Sequence, residues 1–103
     1  MKVELLCIED CPNSEETSAR IAAALAEAGR PDVAVIRTVV GDATEAGASF
    51  AGSPTITLDE VDLFPGAAPV SELSCRVYQT PNGLAGLPTV EQIRARIQER
   101  IAN

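Results

Sequence analysis

The sequence predicts one α/β domain: a mixed sheet of about four strands with helices on both faces. Three observations predict it. Short runs of β-branched and aliphatic residues recur at positions 3–6, 33–40 and 54–58, each bounded by turn residues. Two stretches place apolar residues at helical spacing, Thr17, Ile21, Leu25 and Ala28 in one and Val90, Ile93, Ile97 and Ile101 in the other. The order that results is β, α, β, short α, β, β, α.

The first strand, at 3–6, runs into Cys7-Ile-Glu-Asp-Cys11-Pro-Asn13. Proline is favoured in a helix's first turn, and Asn13 with Glu16 has the spacing of a capping box, so a helix is expected to start within a residue or two of Cys11. Gly29 and Pro31 end it. Residues 33–40 are apolar on both alternating faces apart from Arg37 and Thr38, which predicts an interior strand covered on two sides. After a Gly41-Asp42 turn, residues 43–50 suffice for about two helical turns, weakened by Gly47. Pro54 then opens a strand, the position where a missing N–H costs nothing.

From 59 to 88 proline and glycine punctuate the chain too often for long elements. Leu73, Cys75 and Val77 alternate with Ser74, Arg76 and Tyr78 as in a strand, followed by a Pro81-Asn82-Gly83 turn. Residues 61–64 are a rival strand. Thr89 and Gln92 form a capping box ahead of the last helix, which has the clearest pattern in the chain.

At 103 residues the chain supports one modest core. Only 3% of residues are aromatic and none is Trp, so the core must be aliphatic and no platform exists for stacking bases. A formal charge of -7, with eight scattered Lys and Arg, argues against nucleic acid and anionic membranes as partners. The N-terminal apolar run is broken by Glu4 and ended by acids, unlike a signal peptide or membrane span, so a cytoplasmic location is expected.

The chain has three cysteines and no histidine. In a reducing compartment such cysteines are reactive or metal-binding more often than structural, and the odd count leaves one unpaired. Without histidine there is no Ser/His or Cys/His pair, and any general base has to be a carboxylate. No glycine pattern fits a phosphate loop, and no cofactor is expected.

Cys7 and Cys11 are therefore the candidate site. Four residues of helix advance about 6 Å, within the roughly 4.4 to 6.8 Å Cα separation of a disulfide. A thiolate at a helix mouth is favoured by roughly 0.3 to 1 kcal/mol. The carboxylates of Glu9 and Asp10 oppose it by a comparable amount. The bland alternative is a buried strand cysteine and an inert capping cysteine. Cys75 shares a face with Leu73 and Val77 and reads as core; alternatively it joins Cys7 and Cys11 as a third soft ligand for Cu(I), Hg(II) or As(III).

Cys7-Ile-Glu-Asp-Cys11 at the strand-to-helix junction, Gly52-Ser-Pro54-Thr before the third strand, and residues 84–93 leading into the last helix together resemble the thioredoxin superfamily. The likeness covers nearly the whole chain except 59–83. It departs from the family's pattern in having three residues between the cysteines instead of two. The resemblance implies a thioredoxin-like three-layer fold, a cis peptide bond at Pro54, and a Ser53 backbone available to a bound peptide, so that Ser53 and Pro54 would bind substrate. It also implies thiol–disulfide exchange through Cys7 and Cys11, with a protein or small-molecule disulfide as substrate and a separate reductant. By analogy Cys7 attacks, whereas proximity to the helix favours Cys11, and the roles stay open. Two other readings stand beside this one: capture or handover of a soft metal by the thiols, and a redox-inactive module that binds a protein through residues 59–83.

Overall fold

The computed structural model describes residues 2–9, 11–40, 52–64 and 76–102. In chain order the elements are β1 (Val3–Ile8), α1 (Ser14–Glu27), β2 (Val35–Val40), β3 (Thr55–Leu58), β4 (Val61–Asp62), β5 (Tyr78–Thr80), β6 (Gly83–Ala85) and α2 (Val90–Ala102). The main sheet has the order β2-β1-β3-β4. β1 runs parallel to β2, which pairs Cys7 with Val39, and antiparallel to β3, which pairs Leu6 with Thr55. The sheet is therefore mixed, as expected. β5 and β6 form a separate hairpin across the turn at Pro81 and Asn82.

Both helices lie on one face of the sheet. Val3 and Leu5 of β1, Ile56 and Leu58 of β3, Ile21 and Leu25 of α1, and Ile93 and Ile97 of α2 form a single buried cluster. The stripes at helical spacing bring the two helices together over the alternate residues of the strands. The opposite face carries Leu6 and Val40 with Ile8 beside them. The helix expected there, at 43–50, falls outside the described residues.

Helix ends follow local chemistry, with one exception. Thr89 Oγ1 accepts the Gln92 N–H at 3.1 Å while Gln92 Oε1 accepts the Thr89 N–H at 3.0 Å, a complete capping box. α1 ends in a Schellman motif: Arg30 N–H donates to Leu25 O and Gly29 N–H to Ala26 O, with Gly29 at φ +80°. The box expected from Asn13 and Glu16 does not form, because the Asn13 side chain makes no capping bond. Its amide lies instead against Gly86, where a Cβ would sit 2.3 Å from Asn13 Nδ2.

Two strand expectations need correction. Among the described residues β2 is an edge strand, not an interior one, and Ile36 and Val39 are exposed. Its run of valines reads as doubly covered, but β3 pairs on the far side of β1 and leaves β2 outermost. Of the strand expected through Leu73, Cys75 and Val77, residues 76 and 77 are not strand and β5 starts at Tyr78, while Leu73 and Cys75 lie outside the described residues. The rival at 61–64 is real over β4, joined to β3 by a turn in which Asp59 and Glu60 both have positive φ. Among the described residues no helix is long and apolar enough to cross a membrane.

Candidate functional site

Cys7 lies inside β1, one residue before its end, on the face of Val3 and Leu5. It is 0% exposed, and its thiol donates to the Thr38 carbonyl at 3.7 Å on the neighbouring strand. Cys11 follows the turn and is 8% exposed. Its N–H donates to the Ile8 carbonyl at 3.3 Å, and its carbonyl accepts the Ser14 N–H at 3.3 Å and the Ser14 hydroxyl at 3.1 Å. Two consecutive turns therefore carry the chain from β1 through Cys11 into α1. The first holds the Cα atoms of Ile8 and Cys11 within about 7 Å. That arrangement leaves Cys7 and Cys11 at opposite ends of one tight loop.

The helix begins later than the Cys-Pro-Asn sequence suggests. Its first residue is Ser14 and its N-cap is Asn13, which places Pro12 ahead of the helix and Cys11 two residues before the cap. The dipole's influence fades within the first turn. What α1 offers Cys11 directly is the Ser14 N–H on its carbonyl, not an amide on its sulfur. Ser14 is itself buried, and its hydroxyl accepts a bond from Arg37 Nη2 at 2.7 Å. Arg37 and Ser14 thus link β2 to the Cys11 turn, a connection that no motif in the sequence signals. Its only trace is a charged residue in the apolar run of 33–40.

The proline loop meets the cysteine loop directly. The Ser53–Pro54 peptide bond is cis. Ser53 is buried, and its Oγ accepts the Ile8 N–H at 3.0 Å, one residue beyond Cys7. The Ser53 hydroxyl thus ties the proline loop to the segment between the two thiols. The carbonyl of Ser53 is not open as the resemblance implied: it accepts the Arg76 N–H at 2.8 Å. Pro54's carbonyl in turn accepts the Tyr78 hydroxyl.

Arg76 and Tyr78 belong to a buried polar group that sequence reading missed. Arg76 Nη1 pairs with Asp62 Oδ2 at 2.9 Å, its Nη2 donates to the Phe64 carbonyl at 2.7 Å, and its guanidinium lies 4.5 Å from the centre of the Tyr78 ring. Phe64 meets Tyr78 edge-on at 5.4 Å. Burial pushes the Tyr78 phenol well above its ordinary value; Arg76 opposes that rise and Asp62 adds to it.

Cys75 lies outside the described residues, so the three-thiol set is not brought together among those described, and no cluster of three metal-binding side chains occurs among them. Glu9 sits exposed in the turn after Cys7, while Asp10 lies outside the described residues. Compared with family models, with curated proteins and with solved structures, the chain finds no match in any of the three.

Proposed function

We propose that this chain is a thioredoxin-like thiol–disulfide oxidoreductase in which Cys11 attacks and Cys7 resolves. One observation carries the reading: the Ile8 N–H bond to Ser53 Oγ fastens the proline loop onto the loop between the two cysteines. A strand, two thiols around a turn, a helix and an adjoining proline loop form the constellation expected of such a protein.

The difference in burial supports this order of attack. Cys11 keeps a little residue exposure and Cys7 none, which favours Cys11 as the thiol that meets an external sulfur and Cys7 as the one that meets a sulfur already inside the site. The Cys11 thiolate attacks one sulfur of the substrate, its S–S bond breaks, and a substrate thiolate leaves with the proton that Cys11 gave up. Cys7 then attacks the Cys11 sulfur of the mixed disulfide, and the second substrate thiolate leaves with the Cys7 proton. Two electrons have passed to the substrate and a Cys7–Cys11 disulfide remains, which an external dithiol reduces.

A second reading rests on one observation of its own. Cys7 is fully buried with its thiol on the Thr38 carbonyl, as in a packed core cysteine. Cys11 then stands alone and the fold is redox-inactive. Oxidation of the folded protein with diamide, followed by peptide mapping, separates the two. Exchange chemistry predicts a linked peptide joining residues 7 and 11 that disappears in Cys7→Ser and in Cys11→Ser. Two thiols that stay fully alkylatable after oxidation and unfolding reject it.

A further inference from the structure

We infer that the site serves small disulfides and not extended peptides, because Arg76 and Tyr78 already occupy the backbone carbonyls beside it. The inference rests on the exchange reading of Cys7 and Cys11. A peptide held next to a thiol by strand addition needs free backbone donors and acceptors along the rim of the site. Among the described residues the rim that meets the cysteine loop is Gly52-Ser53-Pro54, and its carbonyl acceptors are engaged internally, Gly52's by the Thr55 hydroxyl. Ser53's carbonyl takes the Arg76 N–H, Ser53's hydroxyl takes the Ile8 N–H, and Pro54's carbonyl takes the Tyr78 hydroxyl. Pro54 itself has no N–H to offer.

The occupying segment is not a loose cover. A Cβ built on Gly52 would lie 2.9 Å from Arg76 Cβ and 3.1 Å from its Cα, so the two backbones are in direct contact and nothing fits between them. Arg76 is anchored from behind by Asp62 and the Phe64 carbonyl, and Tyr78 by Pro54 and Phe64. Displacing the segment means breaking a buried ion pair before any substrate bond is made.

Among the described residues the sheet offers no alternative rail. Its edges there are β2 and β4, while Cys7 lies on the interior strand β1, paired with Val39 of β2 and one residue past the last β3 partner, Leu6. With Cys11 nearly covered, a reagent reaching its sulfur must be slender. A low-molecular-weight dialkyl disulfide meets that condition, whereas the bond of a folded or extended polypeptide comes with flanking backbone that has nowhere to dock.

The test is a single-turnover comparison on the full chain, pre-reduced and mixed with 2-hydroxyethyl disulfide or with insulin at equal disulfide concentration. Formation of the Cys7–Cys11 disulfide is followed by quenching and mass spectrometry, and each rate is divided by that of dithiothreitol with the same disulfide to remove intrinsic reactivity. The expected result is a normalised preference for the small disulfide of about tenfold or more, since even one denied backbone hydrogen bond is worth up to roughly that factor. In Tyr78→Phe, which frees the Pro54 carbonyl, the insulin rate should rise and the small-disulfide rate stay level. Equal or reversed normalised rates in the unaltered protein overturn the inference and leave exchange standing. If neither disulfide oxidises the pair while both oxidise dithiothreitol, exchange fails and the inference falls with it.

Discussion

The hydroxyl of Tyr78 donates its hydrogen bond to the carbonyl of Pro54, joining the hairpin of β5 and β6 to the proline loop 24 positions earlier. Tyr78 is 4% exposed, and its burial raises the cost of ionising the phenol. The link is therefore sensitive to pH in a defined direction. Because the folded-state value lies above the ordinary one, the contribution to stability is complete below about pH 10 and is lost as pH climbs through the folded value.

The first prediction is accordingly an alkaline limb in the stability profile. Urea midpoints should hold steady through neutrality and fall above about pH 10. Tyr78→Phe should flatten that limb and lower stability at pH 7 by about 1 kcal/mol through the lost bond. The chain contains one tyrosine, so tyrosinate absorbance reads this residue alone. A phenol titrating at its ordinary value in the folded protein would contradict the burial described here.

Breaking the ion pair behind the proline loop should be costly. Asp62→Ala leaves the Arg76 guanidinium buried without its carboxylate, and a loss of about 3 kcal/mol or more is expected. Replacing Arg76 by Met in the same chain should recover part of that loss, since no unpaired charge then remains. Chemical unfolding of the two single variants and the double variant reads the coupling. Additive effects would mean that the pair is not a unit.

The two helix starts should respond differently. Thr89→Ala removes a formed capping bond and should cost about 1 kcal/mol. Asn13→Ala removes no capping bond and should lose less than about 0.5 kcal/mol by that route. Urea unfolding decides the comparison, and equal losses would mean that Asn13 caps α1 in solution.

Gly52→Ala tests how closely the residue 76 segment sits. Gly52 has φ +109°, and an added methyl group meets Arg76 main-chain atoms instead of a flexible side-chain tip. The substitution should destabilise the protein by at least about 1 kcal/mol. A neutral effect would show that the segment stands away from the proline loop.

Periodic elements were legible from the residues because local rules alone specify them. The Thr89–Gln92 box and the Val90, Ile93 and Ile97 stripe define α2, although Ile101 runs off the core and is 43% exposed. The Thr17, Ile21 and Leu25 stripe likewise locates α1. What failed depends on neighbours distant in the chain. β2 has the composition of a buried strand, but composition does not report strand order. Asn13 has the right chemistry to cap, yet the approach of Gly86 draws its amide away. Strands of two or three residues, such as β4 and β5, are fixed by tertiary partners and leave little periodicity.

The candidate site was legible as a list and not as an arrangement. Cys7, Cys11, Ser53 and Pro54 stand out by residue type and spacing, and the Ser53–Ile8 bond joins their two loops. The partners that close the proline loop, Arg76 and Tyr78, sit in a sequence pattern of alternating strand residues. An arginine in such a pattern ordinarily points to solvent, and the carboxylate of Asp62, 14 positions earlier, together with the Phe64 carbonyl makes its burial tolerable.

Trapping of the mixed disulfide tests the assignment of roles most directly. Folded Cys7→Ser protein treated with 2-hydroxyethyl disulfide should accumulate a stable adduct on Cys11, while the unaltered protein should pass through that adduct to a Cys7–Cys11 bond. An adduct that persists equally in both proteins, or a Cys11 that reacts only after unfolding in urea, would contradict the pairing of an attacking Cys11 with a resolving Cys7.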